Sequence, residues 1–447
     1  MVNVFRLDYW NRGVGTMQIE RITVHGFRNI DTTTMFFNKI QSLISLNSFG
    51  KSNLLTAIDF GISFISSDNK KTMMRWIPGV PLNRKLAQED FKFELEMTTD
   101  TDSALGRVWI TYGFQFRWIK SDKTGGSIIS EWLKVKKDGK GQKYAQYILR
   151  AGDKAKYKKV DSGRCDYSIN IEQDELVINK LNAYDNLFFI DIVKKINKLS
   201  AHIERHLDAE PAYHPAPFVR TDWEDLQIDN LENLPRAIYH LKKDPQTSHK
   251  YDLLISSYQQ LFPQIEKIEV VKTTLEGEIE HNIPEGLPFK VTNEVFALFV
   301  TDKTLNQPIN FENMSDGAKR ILLLLTCIIL SDHNQLSLVA IEEPENCIHP
   351  SLLQHLLEII DQMTETCRVL VTSHSPYLIQ YLDLSSIYVG LPSNNGVARF
   401  FTIRSSSKKA LEKDAVEARE STGDYIFDLM SGSEEDIKEL IKYLECD

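Results

Sequence analysis

The sequence predicts an α/β fold: a parallel-sheet core carrying a P-loop, with an antiparallel β arm and an inserted helical subdomain. Three observations lead there. The run Leu338-Val339-Ala340-Ile341 is short and wholly apolar, as a strand covered on both faces must be, and it ends in two carboxylates, Glu342 and Glu343. Helical spacing over residues 351–363 follows, and then a second apolar strand at 368–372 runs into Ser373-His374-Ser375-Pro376. Strand, helix, strand with polar groups at the carboxyl ends is a βαβ unit whose edge faces a ligand. Second, Ser45-Leu46-Asn47-Ser48-Phe49-Gly50-Lys51-Ser52 lies between a strand-like 42–45 and a helix-like 53–60. Third, residues 91–178 alternate with period two, and turn signals at 100–102, 123–126, 138–141 and 152–153 divide them into an antiparallel arm.

The loop before residue 53 has the residues that phosphate binding requires. In a P-loop, backbone N–H groups curl around the β-phosphate, the lysine meets the β/γ oxygens, and the following hydroxyl holds Mg²⁺. Gly50, Lys51 and Ser52 fit those roles. The pattern also asks for glycine at position 45, where this chain has serine, and a serine there is expected to carry the cost of a positive φ. The plainer reading of the segment is a helix N-cap at Ser48.

Composition sets limits. Lys+Arg 52 against Asp+Glu 62 gives a net charge of −10, which disfavours sequence-independent coating of nucleic acid by the whole surface and leaves a local basic groove open. Lys134, Lys136, Lys137, Lys140 and Lys143 with Tyr144, and Lys154 to Lys159 with Tyr157, suit either phosphates and bases or solvated edge strands; the second is favoured. Five cysteines, at 165, 327, 347, 367 and 446, are scattered without metal-ligand spacing, as reduced thiols in a cytosol would be. No window reaches the ~18 apolar residues of a membrane span, and residues 1–16 lack the apolar centre of a signal peptide. The expected location is cytoplasmic.

Along the chain, residues 61–90 read as irregular, with Pro78, Gly79 and Pro81 in a loop. Residues 179–262 read as helical, with Ile192, Ile196, Leu199 and Ile203 at helical spacing, breaks at Pro211, Pro215 and Pro217, and a helix from Asp222-Trp223 to Leu241. Residues 265–313 return to strands. Ser315 is placed to N-cap a helix over 317–330, and a helix N-terminus is an anion site by its free N–H groups and dipole. The expected segments are an extension (1–16), a first lobe with P-loop and β arm (17–178), a helical insert (179–264), a second lobe (265–403), and a Ser/Lys linker with an acidic helical tail (404–447).

Taken in order, these pieces resemble the ABC-type ATPase heads of the RecF, SMC/Rad50 and OLD-like group. MQIERITVHGFRNI is similar to the first strand and turn, SLNSFGKSN to Walker A, Met314-Ser315-Asp316-Gly317-Ala318-Lys319-Arg320 to the signature motif, AIEEPE to Walker B and TSHSP to the switch histidine. The resemblance implies ATP and Mg²⁺ as ligands. It implies Arg28, Asn47, Gly50, Lys51, Ser52 and Asn53 as nucleotide-binding residues, and Ser52, Glu342 and Gln88 as metal-binding ones. Gln88 is read equally well as a surface residue. Glu343 would orient or deprotonate the attacking water and His374 would hold the γ-phosphate; capping of the following helix by Glu343 is the weaker reading. His349 would shape a turn. Ser315, Asp316 and Gly317 would complete the site of a second copy, so that two chains sandwich two nucleotides in a dimer or a higher homo-oligomer of dimers. The tail is too short for the Toprim nuclease that OLD-type proteins carry. The resemblance therefore points to a stand-alone ATPase similar to those of PARIS- or Septu-like anti-phage systems, gating a separate effector nuclease, with nucleic acid or a phage protein as a further partner and no membrane. The alternatives are a RecF-like DNA-binding repair ATPase and an SMC-like structural protein with weak ATPase activity.

Overall fold

The computed structural model describes residues 17–47, 49–66, 82–101, 105–120, 124–205, 209–214, 218–220, 226, 231, 233–275, 289–391 and 395–445. The expectations for residues 1–16, the Ser48 cap, the loop at Pro78–Pro81, Pro215, Pro217 and Asp222-Trp223 lie outside them. The chain forms two compact units. One comprises Met1–Phe37, Asn53–Ser200 and Ser393–Arg399, the other Asn38–Ser52, Ala201–Pro392 and Phe400–Asp447. The α/β P-loop fold class expected from the sequence is the one found.

Strands are numbered in chain order. The first unit holds β1 (Gln18–His25) and β2 (Thr33–Phe36). After β3 (Ile40–Ile44), which belongs to the second unit, it continues with β4 (Phe91–Asp100), β5 (Arg107–Arg117), β6 (Ser127–Lys137), β7 (Ala145–Ala151), β8 (Lys154–Lys158) and β9 (Cys165–Ile169). They form one sheet in the order β2-β1-β4-β5-β6-β7-β8-β9, antiparallel throughout. Period two is visible in β4, where Phe91, Phe93, Leu95 and Met97 are buried while Lys92 is exposed. Phe60 and Phe64, from the helix Lys51–Ser66, pack among Phe27, Phe91, Phe114 and Trp118. Gly61 permits that approach, since a Cβ there would lie 2.4 Å from the Phe93 ring.

The lysine-bearing strands are interior ones, contrary to the edge-strand reading: β6 lies between β5 and β7, and β8 between β7 and β9. A lysine on each lies over aromatic rings, Lys136 Nζ 5.0 Å from the centroid of Trp109 and 4.7 Å from that of Tyr144, and Lys158 Nζ 4.9 Å from that of Tyr147. The same sheet buries Glu131 completely. Its carboxylate accepts from the N–H groups of Val177 at 2.6 Å and Ile178 at 2.9 Å, and from the Tyr112 hydroxyl at 3.0 Å, thereby capping the helix Val177–Leu181. Burial pushes Glu131 up to about 7 against the pull of those donors.

The second unit is built on a parallel sheet. Beyond β3 it holds β10 (Ala201–Glu204), β11 (Phe218–Arg220), β12 (Ile265–Thr274), β13 (Phe289–Val291), β14 (Glu294–Asp302), β15 (Ile309–Asn310), β16 (Leu338–Glu342), β17 (Arg368–Ser373), β18 (Ile387–Leu391) and β19 (Arg399–Thr402). The main sheet runs β10-β16-β17-β3-β18-β19, with β10 to β18 in that order mutually parallel. β11 pairs with β13, and β12, β14 and β15 form a separate antiparallel sheet. Helices Asp316–His333 and Pro350–Met363 cover the parallel sheet, packing Leu324, Ile328, Leu353 and Ile360 in one core with Val339, Ile341, Val369 and Val371.

Two expectations fail here. The helical spacing through Leu199 and Ile203 stops at Asn197, and residues 201–204 are instead an edge strand paired with β16 from Ala201↔Leu338 to Glu204↔Ile341. Four residues are too few to write a period-two signal, and the unpaired backbone edge of β16 decides their conformation. Nor does a linker precede the acidic tail. Helices Lys408–Ala418, Thr422–Ser431 and Glu434–Ile441 place Leu411, Ile426, Met430 and Leu440 in a core with Ile44, Ile387 and Val389.

Candidate nucleotide-binding and hydrolysis site

Three parallel strand ends bring the site together. β17 lies between β16 and β3, with Glu342 level with Thr372 and Ser373 level with Ile44. The residues just past these ends, Ser45, Glu343 and His374, therefore share one edge of the sheet, the carboxyl edge at which parallel sheets bind ligands. The P-loop leaves β3 at the wholly buried Ser45, turns through Gly50 at φ +106, which glycine alone adopts without strain, and starts its helix at Lys51.

Ser45 is not in the positive-φ region, so the strain expected of it is absent. Room for its side chain comes from β18, where a Cβ on Gly390 would approach Ser45 Cβ to 2.8 Å. Lys51 Nζ donates to the Ser45 carbonyl at 2.7 Å and meets Ser45 Oγ at 3.3 Å. Burial holds the Lys51 ammonium below its ordinary pKa, while the charges of Glu343, Glu345 and Glu342 pull it back.

The carboxylates fall into distinct roles. Ser52 Oγ donates to Glu342 Oε2 at 3.2 Å, and Glu342 Oε1 is buried with no hydrogen-bond partner. A buried, unpartnered carboxylate oxygen beside a serine hydroxyl is a hard-oxygen donor set of the kind Mg²⁺ takes, and it is costly without a cation. Glu343 adopts the left-handed conformation, φ 53 and ψ 55, at a cost of roughly 1–2 kcal/mol for a non-glycine residue. That twist turns its side chain back: Oε1 lies 2.8 Å from His374 Nδ1, and Oε2 accepts from Asn346 Nδ2 at 2.9 Å. Glu343 makes no side-chain cap to the short helix after it. Sharing a proton with this carboxylate places the hydrogen on Nδ1 of His374 and leaves Nε2 as its other functional atom.

One acid was passed over in the sequence. Glu345, the last residue of AIEEPE, accepts from Ser373 Oγ through Oε1, and its Oε2 is buried without a hydrogen-bond partner. Burial raises its pKa, with the Ser373 hydrogen bond opposing. The signal was present as a third acid within four residues, but only the turn after β16 brings it against β17.

Ser315 caps the helix Asp316–His333 by accepting from the Ala318 N–H at 3.4 Å. Ser315 and Asp316 are exposed and Gly317 is half-buried. The first turn is held from behind by Tyr213 Oη, which donates to the Lys319 carbonyl at 2.6 Å, and by Tyr258 Oη, which donates to that of Ala318 at 3.2 Å. Arg320 Nη1 donates to the Asn346 carbonyl at 3.4 Å, tying this helix to the acidic turn. His349 accepts from the Ser351 N–H at 3.3 Å and so shapes the start of helix Pro350–Met363.

The remaining candidates are placed separately. In the first unit Arg28 is left-handed at φ 53, and its Nη1 donates to Asn53 Oδ1 at 2.8 Å; Asn53 Nδ2 in turn donates to Asn29 Oδ1 at 2.7 Å. Gln88 is exposed in the turn before β4, also in the first unit, and Asn47 is exposed in the P-loop turn. Lys51, Ser52, Glu342, Glu343 and His374 are thus assembled within the second unit, while Arg28 and Asn53 form a pair in the first. Among the described residues, no helix is long and apolar enough to cross a membrane.

Comparison with known proteins gives two family matches. The profile of AAA_21, described as "AAA domain, putative AbiEii toxin, Type IV TA system", matches residues 150–380, and that of a protein family of unknown function, DUF2813, matches residues 17–71. No curated protein matches the chain significantly. Similar solved structures include an Smc head bound to the C-terminal winged-helix domain of ScpA, 14% identical with TM-score 0.47, covering 88% of this chain and 99% of that one. Another is the Smc head with an extended coiled coil bound to the C-terminal domain of ScpA from Pyrococcus furiosus, 13% identical with TM-score 0.45, covering 91% and 100%. A third is the SMC head domain from Thermotoga maritima, 10% identical with TM-score 0.39, covering 87% and 99%.

Proposed function

We propose, from the premise that this chain belongs to the AAA_21 family of AAA-type ATPase domains, that it binds and hydrolyses ATP between two copies of itself and that this cycle gates a separate effector in anti-phage defence. The observation that carries the reading is the grouping at one sheet edge of Lys51, of Ser52 on Glu342, and of Glu343 on His374. Lys51 and the amides before it would neutralise the β/γ-phosphate oxygens. Ser52 and Glu342 would hold Mg²⁺, which when bound neutralises charge on the same oxygens. Glu343 would orient and deprotonate the attacking water, and the Nε2 face of His374 would meet the γ-phosphate, its ring fixed by Glu343. The start of the helix Asp316–His333, with Ser315 and Asp316 exposed, supports a contribution in trans, because the dipole of a helix N-terminus favours an anion brought to it from outside. The family description names a toxin of a type IV toxin–antitoxin system, which supports a place in defence.

Mixing two inactive variants tests the reading. Ser315→Arg should bind ATP and fail to hydrolyse it, and Lys51→Ala should fail to bind. Together they should recover one composite site per heterodimer. Normal hydrolysis by Ser315→Arg alone, or no recovery in the mixture while Ser315→Arg is inactive, would count against the shared site.

A further inference from the structure

A second cluster of metal-ligating side chains lies outside the nucleotide site, within the second unit. His202 and Glu204 are two residues apart on β10 and therefore project from the same face of that strand. Cys327 comes from the middle of helix Asp316–His333. One ligand atom from each lies within 4.8 Å of the other two, with His202 Nε2 3.4 Å from Glu204 Oε2. The thiol is fully buried, and the other two side chains are each 20% exposed.

We propose that His202, Glu204 and Cys327 bind a divalent transition metal of the Zn²⁺ class. The donor set decides the class: one sulfur, one imidazole nitrogen and one carboxylate oxygen suit Zn²⁺ and its neighbours, whereas Mg²⁺ and Ca²⁺ require oxygen shells. Tetrahedral zinc with bonds of about 2.0–2.3 Å sets its ligand atoms roughly 3.3–3.8 Å apart, so the trio needs only a small contraction. All three ligands stand on regular secondary structure, which limits the reorganisation required. Three protein ligands leave a fourth position for water. The bound ion clips the edge strand β10 to the helix whose first turn carries Ser315.

Cobalt titration of the full-length, reduced, metal-stripped protein tests the site, because Co²⁺ reports thiolate ligation by a near-ultraviolet sulfur-to-metal charge-transfer band. The expected result is one equivalent bound with that band, displaced by Zn²⁺ and unaffected by Glu342→Gln, which separates it from the nucleotide's metal. Cys327→Ser should abolish the band, and His202→Gln and Glu204→Gln should each weaken binding at least about tenfold. Absence of the band in the folded wild-type protein, its persistence in Cys327→Ser, or wild-type affinity in both strand variants would overturn the proposal. The two strand variants decide the matter if the buried Cys327→Ser substitution unfolds the chain.

Discussion

Replacing Glu343 by glutamine isolates the charge on which hydrolysis is proposed to depend. Glutamine keeps the side-chain length and leaves the left-handed backbone as it is, so the strain at φ 53 is unchanged. Its amide oxygen can still accept from His374 Nδ1 at the 2.8 Å position, and a flip of the Asn346 amide restores the second contact. About a third of each of the Glu343 and His374 side chains is exposed, so the loss of stability stays below about 1 kcal/mol. Binding should not suffer. Glu343 is foremost of the three carboxylates acting on Lys51, and removing it takes a repelling charge from the phosphates. The barrier, by contrast, should rise by the worth of a general base, 10²–10⁴-fold in rate or roughly 3–5 kcal/mol. The assay is phosphate release at saturating ATP, with nucleotide affinity and Tm measured on the same preparation. Turnover within about threefold of wild type, in a variant that binds and melts normally, would refute a base at Glu343 and turn attention to Glu345.

Three further outcomes follow from the packing. Ser45→Gly, which restores the P-loop glycine, should cost about 0.5–1 kcal/mol of stability and leave ATP affinity unchanged, because Ser45 is unstrained; a tenfold gain in affinity by titration would contradict that. Gly61→Ala drives a methyl into the Phe93 ring at 2.4 Å and should destabilise by about 1–3 kcal/mol in a urea melt. Glu131, raised from an ordinary 4.5 to about 7, binds more protons folded than unfolded between those values; its contribution is complete below the lower value and lost as pH rises through the upper, about 3 kcal/mol in all. Urea unfolding at pH 5 and pH 8 should therefore show wild type losing more stability with pH than Glu131→Gln, and the opposite difference would refute it.

Residue order alone determined the elements whose burial leaves an uninterrupted mark. β16 and β17 are buried on both faces, so they appear as apolar runs ending in acids and histidine, and β4 shows period two because its face bearing Phe91 and Phe93 is covered by the aromatic cluster. The turn at Gly50 into a helix starting at Lys51 was legible for a local reason, because the phosphate-cradling pattern proposed for Gly50, Lys51 and Ser52 is a set of residue types at fixed spacing. Tertiary structure decided whatever depends on a neighbour far along the chain. β10 is a strand because β16 offers it an edge. Ser45 is relaxed because Gly390 makes room for it. Glu345 joins the site because Ser373 lies beside its turn. His202 and Glu204 meet Cys327 across more than a hundred intervening residues, which no local spacing encodes. The helices after residue 407, read from the sequence as an acidic helical tail behind a linker, bury Leu411, Ile426 and Leu440. A single apolar stripe on a short helix becomes a core only when a partner surface is there to cover it.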